Sequence, residues 1–324
     1  MENTERIGVL TSGGDSPGMN AAIRAVTRTA LKNDLEVFGI RRGYQGMIEG
    51  DIIQLNSGSV SGIIQHGGTI LQTARSKEFM TPEGRKKAYE QLEKLKIGGI
   101  IVIGGDGSFT GANIMSKEFN ISCIGIPGTI DNDLYGTDYT IGYDTALNTV
   151  VEAVDKIRDT ASSLNRIFFI EVMGKDAGFL ALTSGIASGA EAIMIPEISG
   201  QYDKLCKLMA KRDRLGKSTI ILVAEGDEEG KAMDLADKFQ KEFPDLDVRA
   251  TILGHIQRGG TPTVIDRVAA SRMGVAAVEA LLDDQKSIMV GLVNNNIVHI
   301  PLNKTVKLHK DVDRELIEIA EMLI

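Results

Sequence analysis

Short apolar runs rich in β-branched residues recur along the chain, and helix-length amphipathic segments separate most of them. The runs predict strands at 7–11, 36–40, 99–103, 122–126, 166–172, 219–224 and 247–251. Their continuous hydrophobicity is typical of parallel strands covered on both faces. Helices are predicted at 82–96, 108–118, 142–164, 202–214, 232–243 and 264–283, the first with Thr81 as N-cap before Pro82. This alternation predicts an α/β protein with doubly wound, Rossmann-like sheets.

Length and composition narrow the class further. A chain of 324 residues is long for one core and suits two domains. A net charge of −8 argues against a nucleic-acid surface, although local arginines can still bind anions. Cys123 and Cys206 fit no disulfide scaffold or metal spacing, so two buried thiols in a reducing compartment are expected. No signal-peptide pattern and no membrane-length apolar run is visible, so we expect a cytoplasmic protein.

Glycine-rich turns follow two of the predicted strands. In TSGGDSPGMN (11–20), Gly13 and Gly14 would let backbone N–H groups and the next helix N-terminus approach a phosphate, but a plain βα turn fits equally. In IGGDGSFTGA (103–112), Asp106 among glycines would repel a phosphate unless a cation stood between them. This favours Asp106 as a ligand of Mg²⁺ on nucleotide phosphates over a helix cap by Asp106 or Ser108.

The stretch PGTIDNDLYGTD (127–138) carries Asp131 and Asp133 after a predicted strand. In extended chain, residues two apart point the same way, so both carboxylates could face one substrate and one could act as a general base. An Asx turn is the alternative, and the local sequence taken alone favours it.

Cationic side chains follow two further predicted strands. Lys175 in MGKDAG (173–178) could stabilise a phosphoryl transition state, or be an ordinary solvated loop lysine. Arg249, His255 and Arg258 in RATILGHIQRGG (249–260) suit a sugar phosphate, although a lone histidine is more often structural.

Taken together, IGVLTSGGD, IGGDGS, PGTIDND, GTDYTIG, IEVMG, LGHIQRGG and ASRMG closely resemble the bacterial ATP-dependent 6-phosphofructokinases over the whole chain. The resemblance implies transfer of the ATP γ-phosphoryl group to the 1-hydroxyl of fructose 6-phosphate, a step of glycolysis, with Mg²⁺. It also implies a cytoplasmic homotetramer with shared active sites and no nucleic-acid or membrane partner. The fold it implies has two α/β domains with a chain crossover: 1–140 and 256–305 binding ATP, 141–255 and 306–324 binding sugar phosphate.

The resemblance also implies residue roles. Asp131 would be the general base beside Asp133, with Thr129 and Lys175 as further catalytic residues and Asp106 as the Mg²⁺ ligand. The ATP contacts would be Gly13, Arg75, Ser76, Asp106, Gly107, Ser108 and Gly111. The sugar-phosphate contacts would be Thr129, Asp131, Arg166, Met173, Gly174, Lys175, Glu225, Arg249, His255 and Arg258, of which Arg166 and Arg249 would reach across from a neighbouring subunit.

The phosphoryl donor is indicated by two glycines. Pyrophosphate-using relatives carry Asp in place of Gly107 and Lys in place of Gly128, and the Asp would repel the α-phosphate of ATP, so this chain is expected to use ATP. The alternatives are a pyrophosphate-dependent enzyme, a nucleotide sensor, which would be expected to lose Asp131 or Asp106, and a GGDG-type kinase for NAD or lipid, which would not need PGTIDND or GHIQRGG.

Two departures from the family pattern carry expectations of their own. Lys175 stands where the family has Arg, which predicts less well-oriented transfer. In the family's effector site for ADP or phosphoenolpyruvate, Ser57 replaces an Arg, Gly62 replaces an Asp and the 216–219 segment is shortened, which predicts a blunted response. The matching effector residues are Arg24, Arg28, Arg158, Glu191 and Lys217.

Overall fold

The computed structural model describes residues 5–211 and 218–323 of the chain. In that part the strands are β1 (Arg6–Thr11), β2 (Glu36–Ile40), β3 (Ile52–Leu55), β4 (Gly99–Gly104), β5 (Ser122–Pro127), β6 (Ile167–Val172), β7 (Ala192–Met194), β8 (Thr219–Ala224), β9 (Val248–Ile252), β10 (Ile288–Val293) and β11 (Asn296–Pro301). The helices are α1 (Met19–Lys32), α2 (Gly43–Glu49), α3 (Pro82–Lys94), α4 (Asp106–Phe119), α5 (Tyr143–Leu164), α6 (Phe179–Ser188), α7 (Gln201–Lys211), α8 (Ala232–Glu242), α9 (Val264–Leu282), α10 (Leu302–Thr305) and α11 (Arg314–Leu323).

Each strand and helix predicted from the sequence is present, with bounds shifted by a few residues. Thr81 caps α3 as predicted, since its hydroxyl accepts a hydrogen bond from the Gly84 N–H. The predicted end of α7, at 212–214, lies outside the described residues.

The βα rhythm does not predict β3, β7, β10 and β11. Three of them lie at sheet edges, and β10 contains a glycine, which weakens a strand pattern. The turn between β10 and β11 does have a local signal, because Asn294 and Asn295 both adopt left-handed backbone conformations. Paired asparagines of this kind are typical of a tight β-hairpin.

Contacts divide the chain into two compact units. Unit 1 contains the described chain up to Ile130, Leu134–Thr145 and Arg258–Lys310, and unit 2 contains Asp131–Asp133, Ala146–Gln257 and the described chain from Asp311 onward. The chain therefore passes from unit 1 to unit 2 and back more than once, and the last described segment belongs to unit 2. The ligand that each unit binds stays a prediction.

Unit 1 is built on a seven-stranded sheet of order β11-β10-β5-β4-β1-β2-β3. The inner pairs from β10 to β2 are parallel, as the continuous hydrophobicity predicted, whereas β11 and β3 add to the edges in antiparallel fashion. Alternate residues of β4 enter different cores: Ile101 and Ile103 face α1 and α9, and Ile100 and Val102 face α2, α3 and α4. Both faces of the sheet are thus covered.

Hydrogen bonds join the N-termini of α5 and α9 within unit 1. The buried carboxylate of Asp266, in the first turn of α9, accepts hydrogen bonds from the backbone N–H groups of Gly142 (2.7 Å) and Thr145 (2.8 Å) at the start of α5. In return, the Thr263 hydroxyl accepts from the Asp266 N–H and donates to the Asp144 carboxylate at 2.6 Å. Burial raises the pKa of Asp266 although these donors oppose the shift.

Unit 2 is built on a smaller, all-parallel sheet of order β7-β8-β6-β9. Every residue of β6 and β8 is buried, and Phe169 of β6 packs against Phe239 of α8 with ring centroids 5.5 Å apart. This unit is likewise of the doubly wound α/β class.

The two cysteines differ from expectation in one respect. Cys123 is fully buried in β5, and burial raises the pKa of its thiol. Cys206 is only half-buried, because the amphipathic helix α7 places it beside Glu242, whose carboxylate accepts its S–H at 3.3 Å. Burial, reinforced by this carboxylate, raises the pKa of Cys206 to about 11.

Of the helices in residues 5–211 and 218–323, none combines the length and apolar character needed to cross a membrane.

Candidate active site

The carboxyl ends of three neighbouring parallel strands in unit 1 meet at one edge of the sheet. Thr11 pairs with Ile103 at the ends of β1 and β4, and Gly104 pairs with Pro127 at the ends of β4 and β5. The loops that follow these strands therefore leave from the same place. They are the three loops that the sequence singled out in this half of the chain.

The loop after β1 is shaped by its glycines. Gly13 has a left-handed backbone with φ of 87°, and a Cβ atom on Gly14 would lie 2.3 Å from Nη1 of Arg258. That guanidinium donates to the Asp15 carbonyl at 3.2 Å, so the missing side chain of Gly14 makes room for it. The helix that follows, α1, begins at Met19 with Gly18 at its N-cap, four residues after the end of the glycine pair, and a phosphate shared by this loop and the helix N-terminus stays a prediction.

The loop after β4 presents Asp106 as the first residue of α4. The N-cap position belongs to Gly105 and receives no side-chain hydrogen bond, so neither Asp106 nor Ser108 caps this helix. Asp106 is exposed, Ser108 is buried, and a Cβ atom on Gly107 would meet no atom within 4 Å. Open space therefore lies beside an exposed carboxylate.

The other predicted ATP contacts in unit 1 lie around two stacked aromatic rings. Tyr44 and Phe79 stack with centroids 3.9 Å apart, and a Cβ atom on Gly111 would lie 3.1 Å from each ring. The Tyr44 hydroxyl donates to the Ser108 carbonyl at 2.5 Å, and burial raises the pKa of Tyr44 well above its usual value. Sequence analysis missed Tyr44, because nothing local links it to Ser108.

The segment that leads into these rings holds the remaining two residues. The Ser76 hydroxyl accepts from the Phe79 N–H at 3.1 Å and donates to Gln45, so it orders the 3₁₀ turn Glu78–Met80. Arg75 is exposed and, within the described chain, has no ion pair. Its guanidinium is accessible to an anion.

The loop after β5 contains the predicted general base. Thr129 is buried, and its carbonyl accepts the Thr140 hydroxyl at 2.6 Å. Asp131 is buried and Asp133 half-buried. Asn132 between them has a left-handed φ of 54°, so the chain is not extended here. The extended backbone from which Asp131 and Asp133 were expected to point the same way is therefore not present, and a substrate shared by both carboxylates stays a prediction.

Unit 2 repeats the same arrangement at its own sheet edge. Val172 pairs with Ala224 at the ends of β6 and β8, and Glu171 pairs with Ile252 at the end of β9. The loops that follow carry Met173 to Lys175, Glu225 and His255.

The loop after β6 holds Lys175 in an unfavourable backbone conformation. Its φ is 56°, Gly174 before it has φ of 142°, and the Lys175 N–H donates to the Glu225 carboxylate at 2.8 Å. Gly226 permits the close approach, since a Cβ atom there would lie 2.1 Å from the Lys175 carbonyl oxygen. The Lys175 side chain is 57% exposed, with Nζ 3.9 Å from the Asp176 carboxylate.

Arg166 and Arg249 share one carboxylate in unit 2. Arg166 precedes β6 and donates from Nε to Asp247 at 2.6 Å, while Arg249 on the neighbouring β9 reaches the other Asp247 oxygen at 2.7 Å. The hydrogen bond from Arg166 is the main cause that lowers the pKa of Asp247. Sequence analysis missed Asp247, although its place two residues before Arg249 was visible.

His255 lies on the 3₁₀ turn Gly254–Arg258 and is exposed, which does not fit the alternative of a buried structural histidine. Gln257 in the same turn is fully buried and accepts a hydrogen bond from the Met173 N–H. Sequence analysis missed Gln257 as well.

The predicted effector residues fall in both units. In unit 1, Arg24 and Arg28 stand one turn apart on α1, and Gly62 has a left-handed φ of 67°. In unit 2, Arg158 pairs with Glu191 at 3.1 Å and donates to the carbonyls of Ser188 and Gly189. Lys217 lies outside the described residues.

No group of three or more His, Cys, Asp and Glu in the described ranges could hold a metal ion unaided. Mg²⁺ is commonly held by one or two carboxylates together with substrate phosphates. An exposed Asp106 beside the open space at Gly107 fits that mode.

Comparison with known proteins places this chain in a family. The family model described as "Phosphofructokinase" matches residues 6–281. The chain is 56% identical to "ATP-dependent 6-phosphofructokinase 2" of Bacteroides thetaiotaomicron, over 100% of this chain and 99% of the relative. It is 51% identical to "ATP-dependent 6-phosphofructokinase" of Cytophaga hutchinsonii, over 98% of both chains. The chain therefore belongs to the phosphofructokinase family.

A solved structure titled "Structure of phosphofructokinase from Saccharomyces cerevisiae" superposes with a TM-score of 0.87 at 38% identity, covering 98% of this chain. This chain spans 46% of that longer one. The fold is thus that of a phosphofructokinase.

Proposed function

We propose that this chain transfers the γ-phosphoryl group of ATP to the 1-hydroxyl of fructose 6-phosphate, giving fructose 1,6-bisphosphate and ADP. The observation that carries the proposal is full-length identity of 51–56% to relatives named ATP-dependent 6-phosphofructokinase. It is supported by two strand edges: that of unit 1 is followed by the loops with Asp106 and Thr129, and that of unit 2 by the loop with Lys175. The reaction belongs to glycolysis, and the cytoplasm is its expected compartment.

In the proposed mechanism Asp131 accepts the proton of the 1-hydroxyl while the oxygen attacks the γ-phosphorus. The bond from that phosphorus to the bridging β-phosphate oxygen breaks, and ADP leaves. Thr129 and Asp133 position the reacting groups. Lys175 supplies positive charge to the phosphoryl group in transit. Asp106 would hold Mg²⁺, which when bound neutralises charge on the nucleotide phosphates.

The sugar phosphate is bound by cationic side chains in this proposal. Arg166 donates one hydrogen bond to Asp247, Arg249 forms an ion pair with the same carboxylate, and both keep further N–H donors for a phosphate. His255 and Arg258 add to this set, and Met173, Gly174 and Glu225 contact the sugar. Arg166 and Arg249 serve the site of a neighbouring subunit in this proposal, within the homotetramer with shared active sites that the family resemblance implies.

The proposed ATP contacts and the choice of ATP as phosphoryl donor are supported by the space around two glycines of unit 1. Gly107 opens onto free space, whereas a Cβ atom on Gly128 would lie 3.0 Å from Ile103 and 3.3 Å from Met19. A lysine at 128, as in pyrophosphate-using relatives, would have to displace these neighbours. This favours ATP over pyrophosphate as the donor, with Gly13, Arg75, Ser76, Ser108 and Gly111 as the remaining nucleotide contacts.

A coupled assay with fructose 6-phosphate tests the function. We expect turnover with Mg²⁺ and ATP. With pyrophosphate in place of ATP we expect less than about 1% of that rate, which corresponds to a difference of about 3 kcal/mol in activation free energy. Gly107→Asp should raise the KM for ATP by tenfold or more, about 1.4 kcal/mol of repulsion. Gly107→Ala, which adds a Cβ atom to the same open space without a charge, is the control. Equal use of both donors, or no turnover with either, would contradict the proposal.

Lys175→Arg should improve the reaction. A guanidinium offers two parallel hydrogen bonds where an ammonium offers one point of charge, so we expect turnover or affinity for fructose 6-phosphate to rise about two- to tenfold. Lys231→Arg, also exposed in unit 2, is the matched control. Steady-state kinetics that show no gain in Lys175→Arg would refute this reading of Lys175.

The effector response is proposed to be weak. Ser57 and Gly62 stand where the family's effector site has charged side chains, whereas Arg24, Arg28, Arg158 and Glu191 match that site. We expect phosphoenolpyruvate and ADP to change the apparent affinity for fructose 6-phosphate by less than about threefold, because lost cations weaken anion binding. Strong, saturable inhibition by phosphoenolpyruvate at micromolar concentration is the result that would rule this out.

A further inference from the structure

We propose that Gln257 is a positioning residue of the sugar-phosphate half of the site, and the proposal rests on the function given above. Its buried side-chain amide joins the loop after β6 to the turn after β9. These two segments carry Met173, Gly174, Lys175 and His255.

The amide of Gln257 is used at both ends within unit 2. Its Oε1 accepts the backbone N–H of Met173 at 3.1 Å, and its Nε2 donates to the carbonyl of Gly254 at 2.9 Å. The residue is completely buried. A carboxylate, a hydroxyl or an apolar side chain of similar size cannot serve one backbone donor and one backbone acceptor at this spacing.

The loop that Gln257 holds is not in a relaxed conformation. Lys175 is a non-glycine residue with a φ of 56°, and Gly174 adopts a φ of 142°. Such conformations persist only where surrounding contacts enforce them. Here the enforcing contacts are the hydrogen bonds from Met173 to Gln257, from Lys175 to Glu225 and from Ala177 to the Gly174 carbonyl.

Gln257 anchors the first residue of this loop. Without its amide, the Met173 N–H and the Gly254 carbonyl lose a partner in a place closed to water, and the loop can relax toward a commoner backbone conformation. Met173 and Lys175 would then move relative to the sheet edge. A small displacement of a binding group lowers affinity for its ligand steeply. Because this loop contacts the sugar phosphate in the proposed site, its displacement should lower the affinity for fructose 6-phosphate and leave the affinity for ATP unchanged.

Unit 2 offers a matched control with the same chemistry. Gln201 also uses both ends of its amide, accepting from the Ile195 N–H at 2.8 Å and donating to the Ile193 carbonyl at 2.7 Å. It ties the start of α7 to β7 and contacts no residue assigned to substrate. Gln201→Leu therefore removes an equivalent pair of hydrogen bonds outside the site.

The experiment compares wild type, Gln257→Leu, Gln257→Glu and Gln201→Leu by steady-state kinetics and urea unfolding. We expect Gln257→Leu to raise the KM for fructose 6-phosphate about tenfold or more, the equivalent of one or two lost hydrogen bonds, with the KM for ATP within twofold. Gln257→Glu keeps the acceptor for the Met173 N–H, so its KM for fructose 6-phosphate should lie between those of the wild type and Gln257→Leu. Gln201→Leu should lose stability with both KM values within twofold.

A KM for fructose 6-phosphate in Gln257→Leu that changes no more than in Gln201→Leu would overturn the inference. If Gln257→Leu fails to fold, Gln257→Glu decides in the same way. A wild type that does not phosphorylate fructose 6-phosphate would overturn the proposed function itself, a result distinct from an active wild type with indifferent variants.

Discussion

The carboxyl ends of neighbouring parallel strands lie at one edge of a sheet, and both halves of this protein depend on that constraint. In unit 1 the register of β1, β4 and β5 ends at Thr11, Gly104 and Pro127, so the glycine-rich loops of three distant stretches leave from one edge. In unit 2 the ends of β6, β8 and β9 do the same for the loops that carry Lys175, Glu225 and His255. The predicted site residues are spread along the sequence because strands from distant parts of the chain form each sheet edge.

Loops at such an edge need fixing, and buried polar side chains do it here. The Asp266 carboxylate holds the start of α5, and the Gln257 amide holds the loop after β6. Each is buried and meets two or more backbone groups, which makes it costly to replace. Asp247, which is half-buried, accepts a hydrogen bond from Arg166 and forms an ion pair with Arg249, and so keeps the two arginines side by side.

Continuous β-branched runs predicted most of the parallel strands, because strands buried on both faces need no polar alternation, but β7 and β10 were missed although both pair in parallel. The β10–β11 hairpin was missed, because two successive strands joined by a tight turn do not follow the strand–helix alternation on which the prediction rested. Asp131 and Asp133 were expected to face the same way, and the left-handed Asn132 removes the basis for that expectation. A left-handed asparagine cannot be told from an extended one by its neighbours alone.

The residue roles came from resemblance rather than from local chemistry, and they stay predictions. Asp247, Gln257 and Tyr44 were not predicted from the sequence. Each bonds to a residue that is distant in the sequence, or that it reaches only because strands pair or the chain folds into a turn. Gly107 and Gly128 were singled out from the resemblance, and the difference between open space at one and close packing at the other depends on Ile103 and Met19 around Gly128. Composition carries no information of this kind.

Hydrogen–deuterium exchange of the wild-type protein, followed peptide by peptide, tests the central claim that each strand edge binds its own ligand. A non-hydrolysable ATP analogue with Mg²⁺ should slow exchange most in peptides covering 104–111 of unit 1. Fructose 6-phosphate alone should slow it most in peptides covering 173–178 of unit 2. Protection of 173–178 only by the ATP analogue, of 104–111 only by fructose 6-phosphate, or of neither segment by its own ligand would contradict the account.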